Sequence, residues 1–189
     1  MQDKLTLEEQ KTLLHMARQA MECGVRKEEL PPLDEATLSS QLHEIGASFV
    51  TLTIHGELRG CIGALEARQP LAQDVREHAM AAALEDPRFP PVREDELSRI
   101  QIEVSRLTRP IPLEYKDAAD LLSKLRPHVD GVILRDGFRR ATFLPQVWEK
   151  IPDRAEFLNY LCHKMGAGEN AWSSRHMDVF IYHVEEFHE

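Results

Sequence analysis

The stretch Phe49-Val50-Thr51-Leu52-Thr53-Ile54-His55-Gly56-Glu57-Leu58-Arg59-Gly60-Cys61-Ile62-Gly63-Ala64 decides the architecture. Val50, Leu52 and Ile54 alternate with Thr51 and Thr53, and Leu58 and Ile62 alternate with Arg59 and Cys61. A period of two marks a half-buried strand. With His55-Gly56 between the two runs, the stretch predicts a β-hairpin. A two-residue turn at His55-Gly56 pairs Leu52 with Arg59 and Val50 with Cys61, which mixes apolar with polar. A three-residue loop, His55-Gly56-Glu57, pairs Ile54 with Leu58 and Val50 with Ile62. Register follows the buried face, so the three-residue loop is expected. It places Thr51, Thr53, Arg59 and Cys61 together on the opposite face.

Upstream, Thr6-Leu7-Glu8-Glu9 reads as a capping box. The helix it opens carries Leu13, Met16, Ala17 and Ala20 on one stripe, with Gly24 as its stop. Pro31-Pro32 breaks the chain, and Asp34 caps a short helix through Leu42. Downstream, Pro70 opens a helix with an apolar stripe of Leu71, Val75, Ala79, Ala82 and Ala83. Asp86-Pro87-Arg88-Phe89-Pro90-Pro91 is irregular, because each proline removes an amide donor and restricts the residue before it. Ile100, Ile102 and Val104 alternate with Gln101, Glu103 and Ser105 in another strand. A helix is expected over Asp117 to Leu125, a second hairpin over Val132 to Phe143 turning at Asp136-Gly137, a helix over Arg154 to Met165, and a last strand over Asp178 to Glu185. Helices and hairpins are mixed without a βαβ rhythm, which predicts an α+β fold with a mostly antiparallel sheet.

The chain has 189 residues, 42% hydrophobic and 29% charged, enough for a sizeable core. Its net charge of −9 argues against nucleic acid and against an anionic membrane surface as partners. Arg135, Arg139 and Arg140 form a local positive cluster. No apolar run is long enough to span a membrane, and Met1-Gln2-Asp3-Lys4 lacks the layout of a secretory signal. Three cysteines, Cys23, Cys61 and Cys162, are odd in number and far apart, which favours a reducing, cytoplasmic setting over a disulfide framework.

The candidate site centres on Cys61. A glycine on each side, Gly60 and Gly63, costs a strand entropy and packing, so something is expected to approach the backbone there. Arg59 lies two residues away, and a thiol near a fixed cation is a reactive thiol. Glu103 and Ser105 on a neighbouring strand complete the cluster, with Glu103 as pairing partner of Arg59 or as general base. Cys61 as a packed strand residue is the competing reading. His55 sits at the hairpin turn, so a Cys–His pair requires His163, His176 or another histidine from elsewhere. Asp86 and Arg88 either bind a polar or anionic ligand or pin their loop to the sheet. No metal site is expected: Cys162-His163 are adjacent, and no Cys-x-x-Cys, His-x-x-x-His or His-Glu-x-x-His occurs. P-loop, Gly-x-Gly-x-x-Gly and Gly-x-Ser-x-Gly motifs are absent as well. The cofactor is left open.

Leu58-Arg59-Gly60-Cys61-Ile62-Gly63, Asp86-Pro87-Arg88-Phe89-Pro90-Pro91 and Ile102-Glu103-Val104-Ser105 occur in that order. Gly131-Val132-Ile133, Arg140-Ala141-Thr142-Phe143-Leu144-Pro145-Gln146-Val147, Phe157-Leu158, Leu161-Cys162 and Lys164 follow. In these motifs, from about Ser48 to Gly168, the chain resembles the AMMECR domain family, whose prokaryotic members are called protein A of the AmmeMemoRadiSam system. It departs at Lys164-Met165-Gly166-Ala167, where members often carry Lys-Ala-Gly-Leu. The resemblance implies an α+β fold of two unequal lobes within one domain over residues 1–189, the larger lobe an antiparallel sheet flanked by helices. It implies Memo-like and radical SAM proteins as candidate partners and no particular chemistry. Two functions follow as expectations. One is an enzyme-like component binding a small polar molecule in a cleft between lobes, with catalytic Cys61 and Glu103 and ligand-binding Arg59, Gly60, Gly63, Asp86, Arg88 and Ser105. The other is a non-catalytic interaction module for those partners.

Overall fold

The computed structural model describes residues 4–189; the reading of the Met1-Gln2-Asp3 terminus lies outside the described residues. In chain order the elements are α1 (Leu7–Arg26), α2 (Ser40–His43), β1 (Ile45–Ile54), β2 (Glu57–Gly63), β3 (Gln69–Pro70), α3 (Leu71–Leu84), β4 (Ile100–Leu107), β5 (Ile111–Pro112), α4 (Ala118–Lys124), β6 (Gly131–Asp136), β7 (Arg139–Phe143), α5 (Arg154–Lys164), α6 (Ala171–Ser174), β8 (Asp178–Tyr182) and β9 (Val184–His188). The fold is α+β, with antiparallel sheets and flanking helices, in two compact units of unequal size. The larger is the chain up to Thr108 together with Glu185–Glu189; the smaller is Arg109–Val184.

In the larger unit the sheet runs β2-β1-β4-β9, with β3 added to β1. One face carries Val50, Leu52, Ile102 and Val104, all fully buried against Leu13, Ala17 and Ala20 of α1 and Val75, Ala79 and Ala82 of α3. Each fully buried aliphatic side chain stabilises by roughly 1.5–3 kcal/mol, so this interlock is the main reason the unit folds. The capping box forms as expected: the Glu9 amide donates to Thr6 Oγ1 at 3.2 Å and the Thr6 amide to Glu9 Oε2 at 2.7 Å. α1 does not stop at Gly24 but runs to Arg26, ending on Lys27 in the left-handed region at φ 58°. Gly24 serves packing instead, since a Cβ there would lie 2.7 Å from Met80 Cγ on α3. The expected helix from Asp34 through Leu42 is broken: Asp34 caps a 3-10 turn at Glu35–Thr37, and α2 follows separately.

The hairpin differs from expectation near its turn. Val50 faces Ile62 as predicted, but Ile54 faces Glu57 and Thr53 faces Leu58. The loop is therefore the two-residue His55-Gly56, with φ of 54° and 83°, as a tight turn matched to strand twist requires. A β-bulge between Leu52 and Thr53 leaves Arg59 without a ladder partner and shifts the register back. One extra residue thus keeps both the tight turn and the apolar face, which simple alternation treats as alternatives.

In the smaller unit the sheet runs β5-β8-β6-β7. Its core centres on Trp148 stacked on Phe157, centroids 3.6 Å apart, with Leu121, Leu134 and Leu161 buried around them. The β6–β7 hairpin pairs Asp136 with Arg139, so its turn is Gly137-Phe138, one residue beyond the expected Asp136-Gly137. The predicted last strand divides at His183 into β8, in this sheet, and β9, which returns to the larger unit's sheet. In the positive cluster, Arg135 pairs with Asp178 at 2.8 Å and Arg139 donates to the Gly166 carbonyl at 3.0 Å.

Candidate functional site

Thr51 of β1 sits between Cys61 of β2 and Glu103 of β4 in the ladder. The three side chains therefore form one row across three strands, on the face turned away from α1 and α3. All three are half-buried. The Thr51 hydroxyl donates to Cys61 Sγ at 3.4 Å. Glu103 has no hydrogen-bond or ion-pair partner among the described residues. Two interstrand spacings separate Cys61 from Glu103, roughly 10 Å between backbones. Ser105 and Gly63 flank Phe49 in the adjacent row, with Ser105 buried.

Arg59, the cation expected to tune this row, is engaged elsewhere. Arg59 grips Glu96 with two bonds, Nε to Oε1 at 2.8 Å and Nη2 to Oε2 at 3.0 Å, and donates to the carbonyls of Pro90 and Pro91. Its guanidinium staples the Pro-rich loop and the 3-10 helix Glu94–Arg99 to β2, which corrects the expectation that it pairs with Glu103. Bonding to Arg59 lowers the Glu96 pKa to about 2. Asp86 and Arg88 clamp the outer edge of β2. The Cys61 amide donates to Asp86 Oδ2 at 2.8 Å, and Arg88 Nη2 donates to the Cys61 carbonyl at 3.2 Å. Arg88 also binds both carboxylate oxygens of Asp86, at 2.9 and 2.6 Å. The Arg88 bonds hold the Asp86 carboxyl far below the usual carboxylate range, against a smaller opposing effect of burial. Of the two readings of this loop, pinning is the one its geometry displays.

The flanking glycines have a structural cause within the chain. A Cβ on Gly60 would sit 2.1 Å from the Ala82 carbonyl oxygen, so α3 packs directly on the strand backbone. On Gly63 it would meet the Phe49 ring at 2.4 Å and the Ser48 oxygen at 2.5 Å. The anticipated close approach is thus made by α3 and by Phe49. His176 stacks on Tyr115 at 4.4 Å. Among the described residues no group of three or more His, Cys, Asp or Glu is placed to hold a metal ion, and no helix is long and apolar enough to cross a membrane.

Two polar groups escaped sequence reasoning. Glu96 was visible only as the fourth residue of an Arg93-x-x-Glu96 segment; its carboxylate also accepts the Arg93 amide at 2.9 Å. The other is a buried cluster under the sheet. Ser48 Oγ donates to Asp74 Oδ2 at 2.6 Å, and His78 Nδ1 lies 3.1 Å from the same oxygen. Asp74 and His78 are four apart on an otherwise apolar helix face, which was the available signal. The carboxylate stands between serine and histidine, so the histidine is not poised as the serine's base; the cluster ties α3 to β1.

The AMMECR1 family model matches residues 14–187, nearly the whole chain. The chain belongs to the AMMECR1 family. Protein MK0488 of Methanopyrus kandleri is 39% identical over 100% of this chain and 92% of its own length. A protein of Methanothermobacter thermautotrophicus is also 39% identical, covering 98% and 96% of the two chains. The solved structure of the uncharacterized protein PH0010 from Pyrococcus horikoshii matches with a TM-score of 0.75 and 31% identity over 99% of this chain and 94% of that one. The AMMECR1 match spans the Cys61 strand, the Pro-rich loop and Glu103 alike.

Proposed function

We propose that the row Cys61–Thr51–Glu103 binds a small polar molecule presenting a cationic or hydrogen-bond-donating group, with the Cys61 thiol as the reactive group. The observation that carries this reading is the half-buried Glu103 carboxylate without a partner among the described residues. This carboxylate can accept from a donor that a ligand brings, because Arg59, the cation expected to pair with it, is bound to Glu96. At roughly 10 Å, Glu103 is too far to take the thiol proton directly. It anchors the ligand, while Thr51 holds the sulfur. This assignment replaces an anion-binding role for the arginines.

Native-state labelling with small methanethiosulfonates of opposite charge tests it. The cationic reagent should modify Cys61 faster than the anionic one, and Glu103→Gln should abolish the preference. Absence of labelling at Cys61, or a preference indifferent to Glu103, overturns the reading.

The alternative reading, an interaction module for Memo-like or radical SAM proteins, draws on the exposure of Pro87, Arg88, Pro90 and Pro91 on a loop already immobilised by Asp86, Arg88 and Arg59. A pre-ordered loop binds without a further ordering cost. Partner capture lost on changing these loop residues but kept in Cys61→Ser would favour it.

A further inference from the structure

The second central residue of the β6–β7 turn is Phe138, and its relative exposure is 110%. Gly137 supplies the positive φ, 60°, that a tight hairpin turn needs at its first central position. Phe138 carries no positive φ, and nothing in the turn calls for an aromatic ring. A lone exposed apolar residue is ordinary on a surface; what sets Phe138 apart is the tip that presents it. Asp136 and Arg139 close the ladder beneath the turn. Asp136 pairs with Arg175, Arg135 pairs with Asp178, and Arg139 Nη1 donates to the Gly166 carbonyl. The ring therefore stands on an ordered tip, and binding it carries little further ordering cost. Beside it, Arg139 is exposed, and that carbonyl is its side-chain partner among the described residues. Arg135 and Arg175 are neutralised by their aspartates; Arg139 meets no carboxylate among the described residues. A guanidinium presents five donors in a fixed fork, so most of those on Arg139 are open to a planar acceptor.

We propose that the β6–β7 tip docks an acidic segment of a partner protein, an apolar side chain of the segment packing on the Phe138 ring and a neighbouring carboxylate pairing with Arg139. Aromatic residues and arginine are the types enriched at protein interfaces. The net charge of −9 opposes approach to an anionic membrane or a nucleic-acid backbone, where charge is dense over a wide surface. A short segment needs only the local cation. This surface lies within the smaller unit and does not depend on the Cys61 reading.

The test pans the full chain against a random-peptide display library, with soluble Phe138→Ala protein as competitor to remove peptides held elsewhere. Surviving peptides should carry Asp or Glu beside an apolar or aromatic residue. The most enriched peptide, made synthetically, should bind Phe138→Ala and Arg139→Gln at least tenfold more weakly than wild type, with Arg139→Lys restoring part of the loss. Its affinity should fall as salt rises. Phe138→Ala should leave the melting temperature unchanged, so a lost affinity reports the surface and not the fold. No peptide surviving the competitor, survivors without acidic residues, or binding indifferent to Arg139 or to salt overturns the proposal. Phe138-dependent sedimentation with phosphatidylcholine–phosphatidylserine vesicles, or Phe138-dependent self-association, overturns it as well, because each gives the tip a different occupant.

Discussion

The Asp86 carboxylate accepts the backbone amide of Cys61 at 2.8 Å, so the residue that looked most like a catalytic centre is held through its main chain by a loop 25 positions on. Cys61 lies on β2, an edge strand of its sheet. An edge strand exposes unpaired amides and carbonyls that invite pairing with another chain. Asp86 and Arg88 occupy both groups at Cys61. The Asp-Pro-Arg segment therefore completes the sheet with side chains where another strand would have used backbone.

Removing this clamp should be measurable. Asp86→Ala leaves the Cys61 amide and the Arg88 guanidinium without their acceptor. The expected loss is about 1–3 kcal/mol of stability, with faster hydrogen exchange at the Cys61 amide. An unchanged denaturant midpoint and unchanged exchange would show that the contact contributes nothing net.

The Arg59–Glu96 pair gives a pH signature. Glu96 titrates at about 2 in the folded chain, against 4.5 ordinarily. A depressed carboxylate contributes stability that is fully present above its unfolded pKa and lost as pH falls through the folded value. Arg59→Met should therefore destabilise most above pH 4.5, with the gap to wild type closing as pH falls toward about 2. Urea midpoints measured across that window check it, and a gap that stays constant or widens on acidification contradicts it.

Gly60 is under a steric constraint that its sequence position announced only as a question. The Ala82 carbonyl oxygen lies 2.1 Å from where a Cβ on Gly60 would stand, so neither backbone yields without moving α3 off the sheet. Gly60→Ala should cost at least about 1–3 kcal/mol, the usual penalty of overpacking, seen as a lower melting temperature. Gly56→Ala meets no atom within 4 Å and differs in kind: its cost comes from φ of 83° alone, roughly 1–2 kcal/mol.

Periodicity made most of the fold legible. The helices over Leu7–Arg26 and Leu71–Leu84 and the strand Ile100–Leu107 carry clean 3.6- or 2-residue patterns, and each appears where its pattern lies. What alternation could not show was the bulge at Arg59, because a single extra residue is invisible until the partner strand is known. The site was half legible. The row Cys61–Thr51–Glu103 follows from register once β1 stands between β2 and β4. The partners of Arg59 were hidden, since Glu96 lies 37 positions away in a 3-10 helix without a periodic signal. The division of the last strand at His183 was equally hidden, because strands of two different sheets share one continuous β-type pattern.

The turn itself supplies the last prediction. His55 holds φ of 54° and Gly56 φ of 83°, so both central residues of the two-residue loop are left-handed. Asparagine reaches that region at lower cost than histidine, and Asn-Gly is the favoured pair for such hairpins. His55→Asn should therefore stabilise the chain by up to about 1 kcal/mol, raising the urea midpoint without changing its slope. A bulge at Arg59 is the structural complement of this turn: tightening the loop to two residues puts the strands out of step by one, and the extra residue at Arg59 restores Val50 opposite Ile62. A midpoint that falls in His55→Asn would show that histidine makes a contact worth more than the left-handed strain it carries, and the turn would then have to be argued from that contact.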